Sequence, residues 1–404
     1  MRTVLITAYD VNPFKGSESA TGWNFIYQAS KYNKVIAITR ENNRHNIEKF
    51  ISLNKIDSRN IKFYYFDLPY WARFWKRKSR GVFLYFYLWQ LSLPFFIRKK
   101  RIHFDIAHNL NFHTDTVPTF LWSLNKPTIW GPINHHEKIP SQYITSIQLL
   151  LKEYLKWSYK KLLWNLDIFN YLARYRTSII LAGNKSVIKR LKLPSEKTIL
   201  FPQVGAEDKG FSLSLKKEQK TFHILFVGRF VPLKAPDLVI EAFAHFYKRT
   251  QASNIKLTMA GTGPEEKKLR KLTQKYGIEK QVEFTGWIKK EKLSELYKKA
   301  HVFFFPSYEG AGMVIPEALS FATPVLCFDN YGPGELVDNS CGIKIPYTKY
   351  SQSISDFSEA LYFLYKRRDI LIEKAINARK KFEEEFDWNK KGKKLNEIYN
   401  IIQK

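Results

Sequence analysis

The sequence predicts two doubly wound α/β domains in series, and three observations predict them. Short apolar runs alternate with stretches of helical length, as in parallel sheets covered by helices. A polar, aperiodic segment at 205–220 (GAEDKGFSLSLKKEQK) separates two such series, so the pattern restarts at Phe222. Strands of the second series run into loops that carry Gly or Pro, at the strand ends where such sheets place ligands. The expected domains are 1–204 and 205–385, with a cleft between them as a small-molecule site.

In chain order, Thr3–Ala8, Lys34–Thr39 and Ile61–Leu68 read as the first three strands, with a polar loop at Asp10–Gly22 and a helix at Trp23–Lys31. Within Tyr70–Arg101, an aromatic run of 17 residues at Gly81–Ile97 is bracketed by basic clusters. It admits a helix packed on the sheet, an amphipathic surface docked on anionic lipid, or, at the short limit of length, a membrane span. Strands follow at Phe104–Asn111 and Pro127–Trp130, then a long helical region at Ser141–Arg176, then short strands at Thr177–Ala182 and Ile199–Pro202. In the second series the strands are Phe222–Val227, Ile255–Ala260, Val282–Thr285, Val302–Phe305 and Pro324–Phe328, separated by helices at Pro236–Tyr247, Glu265–Tyr276 and Lys290–Lys299. Pro316 marks the first position of one further helix. The tail at 386–404 is a basic helix whose stripe Leu395, Ile398 and Ile402 needs a partner surface; the first domain is the expected one.

The chain has 404 residues, 16% of them aromatic, and a formal net charge of +29. That charge fits nucleic acid, an anionic membrane surface or a polyphosphate substrate. No zinc-finger spacing or base-stacking motif accompanies it, which argues against nucleic acid. Cys327 and Cys341 lack metal-ligand spacing and read as buried reduced thiols. The N-terminal apolar run is short for a signal peptide and reads as a strand, so a cytoplasmic protein is expected.

The richest stretch is 303–342. Strand Val302–Phe305 runs into a loop with Gly310 and Gly312, then a helix, then a strand. Bare backbone N–H groups and a helix N-terminus make a phosphate site there. Glu309 and Glu317, with seven residues between them, suit hydroxyl groups of a sugar or ribose. Arg229 and Lys234 follow the end of another strand and supply the cations a diphosphate needs.

Four segments, GRFVPLKAPDLVIEAF (228–243), MAGTGPEEKKL (259–269), VEFTGWI (282–288) and FPSYEGAGMVIPEALSFATPVL (305–326), resemble the nucleotide-binding domain of retaining glycosyltransferases with the GT-B fold, family 4, also called glycosyl transferases group 1. The first half resembles them more loosely, through NPFKGSESATGW (12–23), FDIAHNLNFHTDTVPTFLW (104–122) and PTIWGPINHHEKIP (127–140). The resemblance implies two Rossmann-like domains facing each other across a cleft, with the acceptor on the first and the nucleotide sugar on the second. It implies that Arg229 and Lys234 bind the donor diphosphate, Glu317 the ribose and Glu309 the transferred sugar. Gly228, Gly261, Gly310, Ala311, Gly312, Met313 and Val314 would line the donor, and Trp287 and Ile288 would lie near its base. Ala311 stands where the family usually has an aromatic residue. Gly16 and Ser17 would approach the donor phosphate from the first domain. His113 is the candidate contact to the reacting sugar, with His108, Asp115, His135 and His136 as alternatives.

The expected function is retaining transfer of a hexose-like sugar from a nucleotide-diphosphate sugar to a saccharide acceptor. The aromatic, basic segment points to a lipid-linked acceptor in cell-surface polysaccharide or glycolipid synthesis, with the protein peripheral at the inner face of the cell membrane. No cofactor and no metal are expected, since no carboxylate cluster or DxD motif accompanies the His pair. A nucleotide-sugar epimerase or hydrolase on the same fold is the alternative enzyme. A basic membrane-surface or nucleic-acid binder is the non-catalytic alternative.

Overall fold

The structure is a computed structural model that describes residues 1–77, 80–110, 114–144, 146–210 and 220–402. The strands of the first half are β1 (Thr3–Ala8), β2 (Lys34–Thr39), β3 (Ile61–Tyr65), β4 (Ile106–Leu110), β5 (Thr128–Ile133), β6 (Ile179–Ala182) and β7 (Thr198–Leu200). Those of the second half are β8 (Phe222–Val227), β9 (Ile255–Ala260), β10 (Val282–Gly286), β11 (Val302–Phe305), β12 (Val325–Phe328) and β13 (Gly342–Ile345). Among the described residues they form two sheets, in the orders β3-β2-β1-β4-β5-β6-β7 and β10-β9-β8-β11-β12-β13. Every pairing is parallel, and β1 and β8 sit where the strand order reverses. This is the pair of doubly wound sheets that the sequence predicts.

Strands buried on both faces read as unbroken apolar runs. Val302, Phe303, Phe304 and Phe305 of β11 are all inaccessible to solvent. The chain divides into one compact unit of Met1–His135, Leu155–Gln203 and Trp388–Lys404, and another of His136–Tyr154 and Val204–Asp387. Residues 136–154, which the sequence places in the first domain, thus count with the second unit. Cys327 and Cys341 are buried and unbridged.

In the first unit, the helix Trp388–Ile401 lies against the helix Ser17–Ser30. Trp388 packs edge-on to Phe25 at 5.5 Å. Gly392 permits the close approach, since a Cβ there would lie 2.8 Å from Gln28 Oε1. Leu395, Ile398 and Ile402 join the apolar cluster beneath. Tyr399 ties this helix to the sheet. Its hydroxyl donates to His108 Nδ1 at 2.7 Å, while His108 Nε2 donates to the Gly131 carbonyl at 2.7 Å. The acceptor at Nε2 fixes the tautomer.

Burial pushes the His108 imidazole down to about 4. Between that value and the ordinary 6.5, the unfolded chain binds the proton and the folded chain does not. Stability is therefore full above the ordinary value and falls as pH drops through this window, by about 3 kcal/mol from this one group. Urea unfolding of wild type and His108→Gln across the window checks this. The stability difference between them is expected to shrink on acidification; a constant difference would contradict it.

The aromatic segment forms the helix Val82–Lys99. Tyr85, Phe86, Trp89, Leu93 and Ile97 are buried in one cluster with Leu5 and Ile38 of the sheet. This is the sheet-packed alternative; Leu84 and Phe95 face solvent. Among the described residues, no helix is long and apolar enough to cross a membrane.

Several element ends differ from the sequence expectation by a few residues, and three helix boundaries differ for a physical reason. The first helix starts at Ser17, not Trp23, because the polar Ser-Glu-Ser-Ala-Thr-Gly stretch supplies its first turns rather than a loop. The region 141–176 is broken at Asp167, which caps Ile168–Arg176 by accepting from the Phe169 and Asn170 N–H groups. The helix after β11 begins at Val314, so Pro316 sits inside its first turn, where a missing N–H leaves no bond unmade.

Candidate functional site

In an open parallel sheet, ligands gather at the carboxyl ends of the strands beside the reversal of strand order. In the second unit that point lies between β8 and β11. Arg229 and Lys234 leave the end of β8, and Glu309 and Glu317 leave the end of β11. The sheet topology therefore brings together the two pairs that the sequence singled out.

The two loops are joined along their backbones. Tyr308 N donates to the Leu233 carbonyl at 2.9 Å, and Ser307 Oγ to the same carbonyl at 3.2 Å. Lys234 Nζ pairs with Glu309 Oε2 and lies 4.7 Å from the centre of the Phe305 ring. Arg229 is exposed, and among the described residues its guanidinium has no ion-pair partner. One cation is thus held at the loop junction, and the other is open to a ligand.

Glycines set how close these loops come. Gly261 has φ +149, and a Cβ there would lie 1.9 Å from the Gly228 carbonyl oxygen. The loops after β8 and β9 touch at this point, and Gly228 N donates to Ala260 O at 3.0 Å. Gly261→Ala is expected to destabilise the fold by about 1–3 kcal/mol, as overpacking of a tight site does. It also displaces Arg229. Urea unfolding measures this, and wild-type stability in the variant would contradict the contact. Gly312 leaves room for Ile315, whose Cδ1 would lie 2.8 Å from an added Cβ. Ile315 N donates to Gly312 O at 2.9 Å and opens the helix Val314–Ser320.

Glu317 is half-buried at the end of the first turn of that helix. Tyr297 donates its hydroxyl to Glu317 Oε2 at 3.3 Å. Burial raises the Glu317 carboxyl above its usual range, against the opposing pull of Lys290, the Tyr297 hydrogen bond and Lys209. The sequence did not single out these three partners. Lys209 falls in the segment read as a linker, and its ammonium donates to Ser294 Oγ at 2.7 Å. Asn330 was also missed. Its Oδ1 accepts from the N–H groups of Gly332 and Gly334 at 3.1 Å each, and its Nδ2 donates to Ser307 O at 2.9 Å. Gly332 is tight against the Glu309 carbonyl, 1.8 Å from an added Cβ.

Gly310 is buried, and Ala311, Met313 and Val314 are half-buried. Ile288 packs on the core, whereas the Trp287 ring is 77% exposed. In the first unit, Gly16 caps and Ser17 opens the first helix. His113 lies outside the described residues. His108 is held by Tyr399 and Gly131, as above. Asp115 is buried and paired with Arg190 Nε at 2.8 Å. Both have structural employment that a contact to a reacting sugar would disrupt. His135 and His136 are half-buried.

One paired and one exposed cation, tight glycine loops and half-buried carboxylates thus lie at a topological switch point. Residues 208–381 match the family model described as glycosyl transferases group 1.

The D-inositol 3-phosphate glycosyltransferase of Gordonia bronchialis is 32% identical over 185 residues, 44% of this chain and 39% of that protein. The alpha-D-kanosaminyltransferase of Streptomyces kanamyceticus is 30% identical over 125 residues, 30% of this chain and 32% of that protein. The chain thus spans about two-fifths of the length of the first of these curated relatives. Among solved structures, Anabaena HepE in complex with UDP and glucose superposes with a TM-score of 0.65 at 15% identity, covering 99% of this chain and 100% of that one. The sucrose-phosphate synthase of Thermosynechococcus elongatus gives 0.68 at 16%, covering 100% and 99%. The shared fold is GT-B.

Proposed function

We propose that this protein is a retaining glycosyltransferase that moves a hexose-like sugar from a nucleotide-diphosphate sugar to a saccharide acceptor. The observation that carries the reading is the Lys234–Glu309 pair, which joins the loops after β8 and β11 at the switch point, with Arg229 exposed beside it in sequence. The match to glycosyl transferases group 1 over the same unit supports it.

In the proposed reaction, the bond from the sugar C1 to the diphosphate oxygen breaks and a bond from C1 to the acceptor oxygen forms on the same face. The acceptor's proton passes to the leaving diphosphate. Arg229, Lys234 and the backbone N–H groups of the 310–314 loop stabilise the charge that develops on that diphosphate. Glu317 accepts from the ribose hydroxyls, and Glu309 lies by the transferred sugar. Incubation with a panel of nucleotide sugars and saccharides, followed by NMR of the new anomeric centre, tests this. Retention of configuration is expected, at a rate that a chelator leaves unchanged. Release of an epimer or free sugar without any acceptor would contradict it.

We also propose that the acceptor is lipid-linked and that the protein works at an anionic membrane surface, within cell-surface polysaccharide or glycolipid synthesis. Support comes from the helices Ile147–Leu166 and Ile168–Arg176. Leu155, Tyr159, Leu162, Leu166, Ile168, Tyr171 and Tyr175 are exposed there. Exposed Lys161 and Arg176 and the half-buried Lys156 are interspersed with them. Apolar and tyrosine side chains beside cations match the interface of an anionic bilayer. Co-sedimentation with phosphatidylglycerol vesicles at low salt is the test. Binding that is lost in Leu162→Glu is expected; no binding would overturn the membrane part alone.

A further inference from the structure

A second cavity lies in the first unit, at the carboxyl ends of β2 and β3. It has a volume of about 510 Å³, and its lining includes Arg40, Arg73, Lys76, Asp67, Tyr70 and Tyr85. Three cations and one carboxylate, Asp67, line it. Arg40 is fixed: Nε donates to the Tyr9 carbonyl at 2.9 Å, and the guanidinium lies 3.9 Å over the Tyr9 ring. Its nearest carboxylate, Asp10, is 3.8 Å away. Arg73 is 3.8 Å from Asp67. Asp67 is already engaged, accepting from the Tyr85 hydroxyl at 2.5 Å and from the Glu41 N–H at 3.3 Å. Lys76 lies 5.1 Å over the Tyr85 ring, and among the described residues it has no ion-pair partner.

A concave surface lined mostly by one sign of charge concentrates the opposite sign. Burial lowers the Lys76 ammonium, as do Arg40 and Arg73, against Asp67. A bound anion would relieve that repulsion. The cavity is within the size range of small-molecule sites. The Tyr70 ring is exposed at its edge, a surface on which a sugar ring can stack.

We propose that this cavity binds a phosphate group carried by a saccharide, with Arg73 and Lys76 as its contacting cations and Arg40 as a fixed charge beside them. The inference rests on the glycosyl-transfer reading only in making that saccharide the acceptor.

Calorimetric titration tests it, on the full chain with UDP at saturation so that the donor site is filled. The probes are glucose, glucose 6-phosphate, inorganic phosphate and soluble dihexanoylphosphatidylinositol. At least one of the two phosphate esters is expected to bind about tenfold or more tightly than glucose. Arg73→Gln and Lys76→Gln are each expected to weaken it by about tenfold while leaving UDP affinity unchanged. A preference for glucose 6-phosphate assigns the site to a soluble sugar phosphate, and a preference for the lipid assigns it to a lipid-borne one; either supports the proposal. Phosphate esters no tighter than glucose, unchanged affinity in both variants, or inorganic phosphate as tight as the esters would overturn it. Failure of UDP itself to bind would count against the donor site, while the phosphate-ester titrations would still judge this cavity.

Discussion

Lys234→Ala is expected to lower the turnover number by about 10²–10³ at saturating donor, as removal of one preorganised charge-stabilising group does. Lys234 is pinned between the Glu309 carboxylate and the Phe305 ring, so its ammonium needs no reorganisation as charge develops on the leaving diphosphate. The loss should fall on the turnover number more than on donor affinity, because the interaction strengthens in the transition state. Truncation also leaves Glu309 half-buried without its partner. Steady-state kinetics checks both parts. A turnover number within about threefold of wild type would remove Lys234 from the proposed chemistry.

Glu317→Ala should act on binding instead, raising the donor's KM by roughly 10- to 100-fold for the loss of charge-assisted hydrogen bonds to the ribose. The turnover number should change little. The same carboxyl predicts a pH dependence. Burial raises it above the usual carboxylate range, so it takes up a proton at a higher pH than an exposed glutamate does. The ionised form accepts the ribose hydroxyls. Donor affinity is therefore present above this raised value and falls as pH drops through it. Glu317→Gln, which cannot titrate, should show a weaker but flat affinity over that range. Parallel pH profiles for the two proteins would contradict the assignment.

The parts of this molecule that were legible in the sequence are those set by local pattern. β1, β2, β8, β9 and β11 match their predicted bounds residue for residue, because a buried parallel strand is a short apolar run with a polar stop. Arg229, Lys234 and Glu309 were legible because each follows such a stop closely, and Glu317 because of its spacing from Glu309.

Helix starts were less so. Ser-Glu-Ser-Ala-Thr-Gly has the composition of a loop, yet it forms the first turns of a helix that lies against β2, β3 and the helix Trp388–Ile401. The break at Asp167 needed the cap that its side chain makes, and β13 is too short and too mixed to announce itself. What surrounds Glu317 could not be read at all. Lys290 and Tyr297 come from the helix Lys290–Lys299 and Lys209 from the segment read as a linker, and only the folded chain brings them to one carboxyl. The aromatic helix Val82–Lys99 shows the opposite limit. Its composition allowed several environments, and the sheet beneath it decides which face is buried.

The central claim is that the end of the second sheet holds a nucleoside diphosphate through Arg229 and Lys234. Calorimetric titration of UDP, GDP and ADP into wild type, Arg229→Ala and Lys234→Ala tests it most directly. Wild type is expected to bind at least one of the three and each variant to bind it about tenfold or more weakly, with the unfolding midpoint of Arg229→Ala unchanged. Binding of equal strength in all three proteins, or no binding of any nucleoside diphosphate to wild type, would contradict it.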